Sequence, residues 1–391
     1  MQGRRVAITG VGVLARCGIG KDAFWQGLLG PAPEGERRVY DFDPTPLFDN
    51  PKEVRRTDRF AQLAIAAAQQ ALDDGGHPGT DPIRSGVIVA TGVGGLETLE
   101  DQILTFHHKG PRRVSPFLVP MMMSNAACAA ISMRFGWQGP CESVVTACAA
   151  STHALGNAAR LIAYGRCDAV LAGGSEAAMT PVAIQGFTNM TALSSSGVSR
   201  PFDVERDGFV MAEGAAVLLL EELDHARRRG AHIYGELLGS ASTADAHHIT
   251  APAPGGTGAI TCMELALADA GLTPRDIVHI NAHGTSTPLN DAAEAEAIAK
   301  VFGTPGPPVT STKGITGHAL GAAGALEAAA VVLSMEHRLI PPTSGLVNPD
   351  PEIALDLVRG EPRPWEPGPS LSNSFGFGGH NGCLVIGPPP P

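Results

Sequence analysis

Short apolar runs alternate with alanine-rich stretches of helical periodicity along the whole chain. The runs "RVAITG", "SGVIVATG", "ESVVTA", "AVLAGG", "GAAVLLLEE", "YGELLGS", "IVHINAHG", "PVTSTK", "LSNSF" and "GCLVIG" read as strands. Several lack polar alternation, the pattern of strands covered on both faces. Helices are predicted over Arg59–Asp74, Ala149–Tyr164, Gly258–Ala270, Ala292–Phe302 and Gly317–Glu336. This alternation predicts an α/β protein with helices covering its sheets. A strand, a polar turn and a small-residue helix follow one another around Cys148 and again in "PPVTSTKGITGHALGAAGALEAAAVVLSMEH". The repeat suggests two similar halves meeting near Ala231, residues 1–231 and 232–391.

The stretch "GVGVLA", Gly10–Ala15, fits a dinucleotide-binding fingerprint. "PAPEGERRVYDFDPTP" follows where that motif needs a second buried strand and a ribose-binding acid, so the fingerprint is set aside. Its glycines are expected to form a tight turn after the first strand. The tail "GPPPP" cannot extend a strand ladder and is expected to fray.

Composition narrows the field. In 391 residues, 43% hydrophobic and 17% charged residues with 48 glycines describe a tightly packed enzyme rather than a disordered or fibrous protein. A net charge of −11 opposes binding to nucleic acid or an anionic membrane, so any basic cluster is local. "MQGRRVAITGVGVLA" reads as a first strand, not a signal peptide. No run approaches the roughly 18–20 apolar residues of a membrane span. Seven scattered cysteines without CxxC spacing predict a reduced, cytoplasmic protein with neither a disulfide framework nor a zinc site.

The chemistry gathers at three places. Cys148 lies at the junction of a β-branched run and a helix, where unpaired N–H groups favour a thiolate and lower its pKa. His283 follows a strand in "HINAHGTSTPLND", and His318 stands in "STKGITGHALGAAG", five residues after Lys313. Either histidine alone would read as a hydrogen-bonded structural residue. A cysteine and two histidines, each at a strand end, fit a site assembled at the carboxyl ends of strands.

With those residues in view, "TACAAS", "SRPFDVERDGFVMAEGA", "NAHGTSTPLND", "STKGITGHALGAAGALE" and "NSFGFGGHN" together resemble the β-ketoacyl-acyl carrier protein synthases of the thiolase-like superfamily, type II of the elongating enzymes above all. The resemblance covers nearly the whole chain. It implies a thiolase-like fold of two duplicated half-domains in five layers, αβαβα. It implies a decarboxylating Claisen condensation: Cys148 takes an acyl group, a malonyl thioester loses carbon dioxide, and His283 and His318 stabilise the enolate through Nε2–H donors whose tautomers are fixed by their partners. By the same resemblance Lys313 orients His318, and Glu327 is a structural acid. The backbone of Cys148 and Phe377 forms the oxyanion hole beside a gate that includes Phe375. Thr285 and Thr287 bind the phosphopantetheine arm.

No organic cofactor is implied, because that arm arrives on the carrier protein. The implied partners are an acyl carrier protein, acyl and malonyl thioesters, and a second copy of the chain or a homologous subunit. Lys52, Arg55, Arg56, Arg112, Arg113 and Arg200 match positions that similar enzymes present to the acidic carrier. A ketosynthase subunit of a polyketide system and a non-catalytic chain-length-setting subunit are the rival readings, and retention of Cys148 argues against the latter. Three departures stand out: Ala149 and Ala150 where polar residues are usual, His380 in the glycine gate, and Met121–Met123, with Met123 expected at the acyl-pocket wall.

Overall fold

The computed structural model describes Met1 and residues 3–390. Ten strands form its framework: β1 (Val6–Ala15), β2 (Ser85–Ala90), β3 (Cys141–Glu142), β4 (Ala169–Glu176), β5 (Gly214–Glu222), β6 (Gly235–Ala244), β7 (His279–Asn281), β8 (Val309–Thr310), β9 (Ser370–Gly376) and β10 (His380–Gly387). The helices that matter for the site are α1 (Arg59–Gly75), α2 (Leu96–Lys109), α3 (Ala150–Ala163), α4 (Thr257–Ala270), α5 (Pro288–Phe302), α6 (Lys313–Thr316) and α7 (Ala323–His337).

The strand order displays the duplication. A short antiparallel pairing of β1 with β6 joins the halves, through Ala7–Glu236 and Ile8–Gly235. Outward from this joint the first half runs β1-β5-β4-β2-β3 and the second β6-β10-β9-β7-β8. In both, the first two steps are antiparallel and the last two parallel. Helices α3 and α7 share one apolar core with strands of both halves. α1 covers the outer face of the first half and α4 that of the second. The result is five layers: helix, sheet, helix, sheet, helix. α7 is buried from Ala323 to Met335, so its sequence is apolar all round instead of striped.

Several sequence expectations need correction. Gly10 and Gly12 lie inside β1, which is buried at every position, and not in a turn after it. A Cβ on Gly12 would come 1.8 Å from the Ala67 carbonyl oxygen, and one on Gly10 2.1 Å from that of Ala71. The glycines let α1 lie directly on the strand. Of "ESVVTA" only Glu142 lies in the strand Cys141–Glu142, because the chain then leaves the sheet edge for the turn that holds Cys148. The helix expected from Gly317 starts at Ala323, since Gly317 at φ 70° and Leu320 at φ 44° interrupt it. In the proline tail the Pro390 carbonyl accepts from the Arg227 guanidinium. Pro391 lies outside the described residues.

Candidate active site

The two halves end their edge strands in the same way. Ala147, at φ 50°, opens a single 3₁₀ turn that leads into α3; Leu320, at φ 44°, opens another that leads into α7. A left-handed non-glycine residue costs on the order of 1–3 kcal/mol and persists only where its surroundings enforce it. Cys148 follows the first such residue. Gly321 occupies the matching position in the second half. Cys148 is 8% exposed and opens into a cavity of ≈ 470 Å³ that His283, His318, Phe375, Phe377, Thr285 and Thr287 also line.

The thiol is not acidified as a helix terminus suggests. Burial pushes Cys148 up to about 11, outweighing Lys313 and the backbone N–H groups of Phe377 and of Cys148 itself, which pull it down. The sulfur therefore rests as a thiol, with His318 Nε2 3.1 Å away as its proton acceptor. The sign follows: the thiolate fraction is small at neutral pH and grows with pH. We expect the rate of Cys148 alkylation by iodoacetamide to keep rising about tenfold per pH unit from pH 7 to 9. A plateau below pH 8, read from the mass of the alkylated peptide, would contradict this.

Both histidines are neutral. Burial and the neighbouring Lys313 hold His283 and His318 well below the usual imidazole range, with His318 itself adding to the effect on His283. Their rings stand nearly perpendicular, with centroids 5.4 Å apart. Lys313 Nζ donates to the His283 carbonyl at 2.6 Å and faces His283 Nδ1 at 3.3 Å. An ammonium donor at Nδ1 leaves the ring proton on Nε2, where it can be offered to a substrate oxygen. His318 differs. Its Nδ1 is buried with no hydrogen-bond partner among the described residues, and its Nε2 faces the Cys148 thiol, so at rest that nitrogen accepts a proton and is not the donor expected of it. Lys313, expected to orient His318, instead hydrogen-bonds to His283, because its ammonium reaches back to the His283 carbonyl.

Lys313 also pairs with Glu327, and each side chain is almost wholly buried. Removing one partner of such a pair strands the other charge in the core. Glu327→Ala is expected to lower the unfolding free energy by about 3–5 kcal/mol, and Glu327→Gln by less. Denaturant titration of the two variants checks this.

Two acids escaped the sequence reading. Glu294, one turn and a half into α5, accepts the backbone N–H of His283 at 2.7 Å and of Gly284 at 2.8 Å, fixing the loop that carries the imidazole. Glu176, at the end of β4, accepts Gly92 N–H at 2.6 Å and Gly321 N–H at 2.9 Å and so ties together two turns that flank Cys148. Burial pushes each up to about 7 against the pull of these backbone donors. The acid in "PLNDAAEAE" was the available signal for Glu294; nothing local marks Glu176.

The remaining predicted residues divide. The Thr285 and Thr287 hydroxyls lie 2.9 Å apart at the cavity wall. Met123 does not line the cavity and is 43% exposed, because it caps a short helix, Leu118–Met122, whose end packs on Gly94 and Gly95. Val93, Phe187, Met190, Ala192 and Phe209 form the apolar wall in its place. His380 pairs with Gly376 across the β9–β10 hairpin and does not line the cavity. Lys52, Arg55, Arg56, Arg112 and Arg113 are exposed and make no ion pair among the described residues. The Arg56 guanidinium lies 4.4 Å over the Phe117 ring, which brings the first group of cations against the segment after Arg112 and Arg113. Arg200 is half-buried; its backbone N–H donates to Ser286 beside the threonines, and its guanidinium pairs with Glu205 at 3.7 Å.

Comparison with known proteins adds a family. Residues 3–226 match the model for the β-ketoacyl synthase N-terminal domain, and residues 234–347 that for the C-terminal domain. The chain is 45% identical to the 3-oxoacyl-[acyl-carrier-protein] synthase 2 of Synechocystis sp., over 99% of this chain and 98% of that one. It is 43% identical to the protein of the same name from Coxiella burnetii, over 99% of each. Among solved structures it resembles a type II polyketide ketosynthase in complex with its acyl-carrier protein and bound to the hexaketide, with a TM-score of 0.92 and 33% identity over all of both chains. The ishigamide ketosynthase/chain length factor gives a TM-score of 0.93 at 33% identity, over 99% of this chain and all of that one.

Proposed function

The chain belongs to the β-ketoacyl synthase family, and on that premise we propose that it extends an acyl chain by two carbons through decarboxylating condensation with malonyl-acyl carrier protein. One observation carries the residue roles: the Cys148 sulfur and a ring nitrogen from each of His283 and His318 lie within 4.8 Å of one another at the wall of one cavity.

Acylation comes first. His318 takes the thiol proton as Cys148 attacks the carrier thioester, and that proton leaves with the released pantetheine thiolate. The N–H groups of Cys148 and Phe377, which hydrogen-bond the resting sulfur, are at hand for the tetrahedral oxyanion. The malonyl thioester then sheds carbon dioxide, and its carbonyl oxygen takes up the negative charge between the two imidazoles. The enolate carbon attacks the acyl carbonyl, the Cys148 sulfur departs, and the β-ketoacyl product stays on the carrier. The lost carboxylate drives the step, so no organic cofactor is required. The decisive experiment supplies acyl- and malonyl-carrier protein and looks for a β-ketoacyl carrier two carbons longer; its absence with a correctly folded enzyme would end this reading.

Relatives named for the elongating synthase are 42–45% identical over nearly the whole chain, and the polyketide structures 33%, which favours fatty-acid elongation. Assays with carriers of graded acyl length distinguish the two, a polyketide subunit requiring a homologous partner for activity. The unpaired cations at Arg56, Arg112 and Arg113 suit an acidic carrier protein. Arg112→Glu with Arg113→Glu is expected to raise the apparent KM for the carrier substrate about tenfold at low salt and leave kcat within twofold. An unchanged KM would remove the docking role.

A homodimer is the favoured assembly. β3 pairs with a neighbour on one side only, and Met133, 77% exposed, lies with Val119, Met123 and Val145 on the chain segments beside it. An uncovered strand edge with apolar neighbours is the surface a second copy would cover. No helix among the described residues is long and apolar enough to cross a membrane, and seven free thiols suit the cytoplasm.

A further inference from the structure

We infer that Cys148, His283 and His318 also form a reversible binding site for a zinc ion, which would lock the enzyme in an inactive form. No CxxC or HxxxH spacing announces this, because the three donors come from two halves of the chain and meet only in the fold. Their donor atoms lie within 4.8 Å of one another, and all three residues are buried. His318 Nε2 is already 3.1 Å from the sulfur. A tetrahedral zinc ion, with bonds of about 2.3 Å to sulfur and 2.0–2.1 Å to nitrogen, separates its ligands by roughly 3.3–3.7 Å. Small side-chain rotations reach that geometry. The ≈ 470 Å³ cavity leaves room for water as a fourth ligand, and one thiolate with two imidazoles is a donor set that zinc takes readily.

The Lys313 ammonium facing His283 opposes a second positive charge, and its ion pair with the buried Glu327 offsets it. The protons balance as follows. The thiol proton leaves for solvent as the sulfur becomes a thiolate ligand. For His283 Nε2 to offer its lone pair, its proton must move to Nδ1, while the Lys313 ammonium keeps its bonds to Glu327 and the His283 carbonyl. One proton leaves for each zinc bound. The ion occupies the sulfur that acyl transfer needs, so zinc and acyl group exclude one another.

Zinc chloride added to the full-length protein tests this without reference to turnover. A Cys141→Ser background removes the one exposed thiol. Equilibrium dialysis should find one zinc per chain, removable by a chelator, and bound zinc should slow iodoacetamide alkylation of Cys148 at least tenfold. Cys148→Ser and His318→Ala should each weaken binding by about 100-fold or more, beyond what loss of a merely supporting group costs. Failure to retain zinc, retention undiminished in Cys148→Ser, or bound zinc that leaves Cys148 alkylation unchanged would each overturn the proposal. The alkylation measurement uses the intact cluster, so it decides the matter even if a variant misfolds. It is also independent of whether the condensation reading survives.

Discussion

Cys148→Ala should yield no acyl adduct when the intact protein is weighed after incubation with acyl-carrier protein, and condensation should fall by roughly 10⁴-fold or more, as when the nucleophile of a cooperating set is removed. Cys148 alone among the seven cysteines stands at the cavity wall with His318 Nε2 3.1 Å away and two backbone N–H groups directed at its sulfur. The substitution removes one atom and leaves both imidazoles in place. Carbon dioxide release from malonyl-carrier protein should therefore continue. An adduct of undiminished yield in the variant would move the nucleophile elsewhere.

His283→Ala should do the reverse. Its Nε2–H is fixed by the ammonium at Nδ1, and its backbone is clamped by Glu294, so it is a donor aimed in advance at a developing negative charge. Losing one such donor costs about 10²–10³ in rate. We expect decarboxylation of malonyl-carrier protein to fall by that factor while acylation of Cys148 persists, because the sulfur is hydrogen-bonded to His318 and not to His283. His318→Ala should impair both steps. Equal loss of acylation in the two variants would erase this division of labour.

The sequence revealed much of this and misled in specific places. The apolar runs located the paired strands, and short motifs singled out the cysteine and both histidines. What it missed depends on distance. Whether Gly10 and Gly12 make a turn or lie within a strand depends on a helix some sixty residues away, whose carbonyl oxygens fill the space a Cβ would take. The state of the Cys148 thiol depends on how deeply the rest of the chain buries it, and here burial prevails over the helix terminus. Glu176 was illegible because one of its partners, Gly321, lies 145 positions later. Met123 was assigned to the acyl wall by sequence position, and the fold turns it to the surface.

Gly321, the counterpart of the nucleophile, could not be made reactive by giving it a thiol. A Cβ there would stand 2.2 Å from the Gly92 nitrogen and 2.9 Å from Glu176 Oε2, so the second turn is sealed where the first is open. An ancestral symmetry has thus been spent on specialisation: one copy keeps the sulfur and the other keeps the ring nitrogens. Severed near the middle of the chain, neither fragment would hold a working set, and each molecule turns over substrate at a single centre despite its doubled architecture.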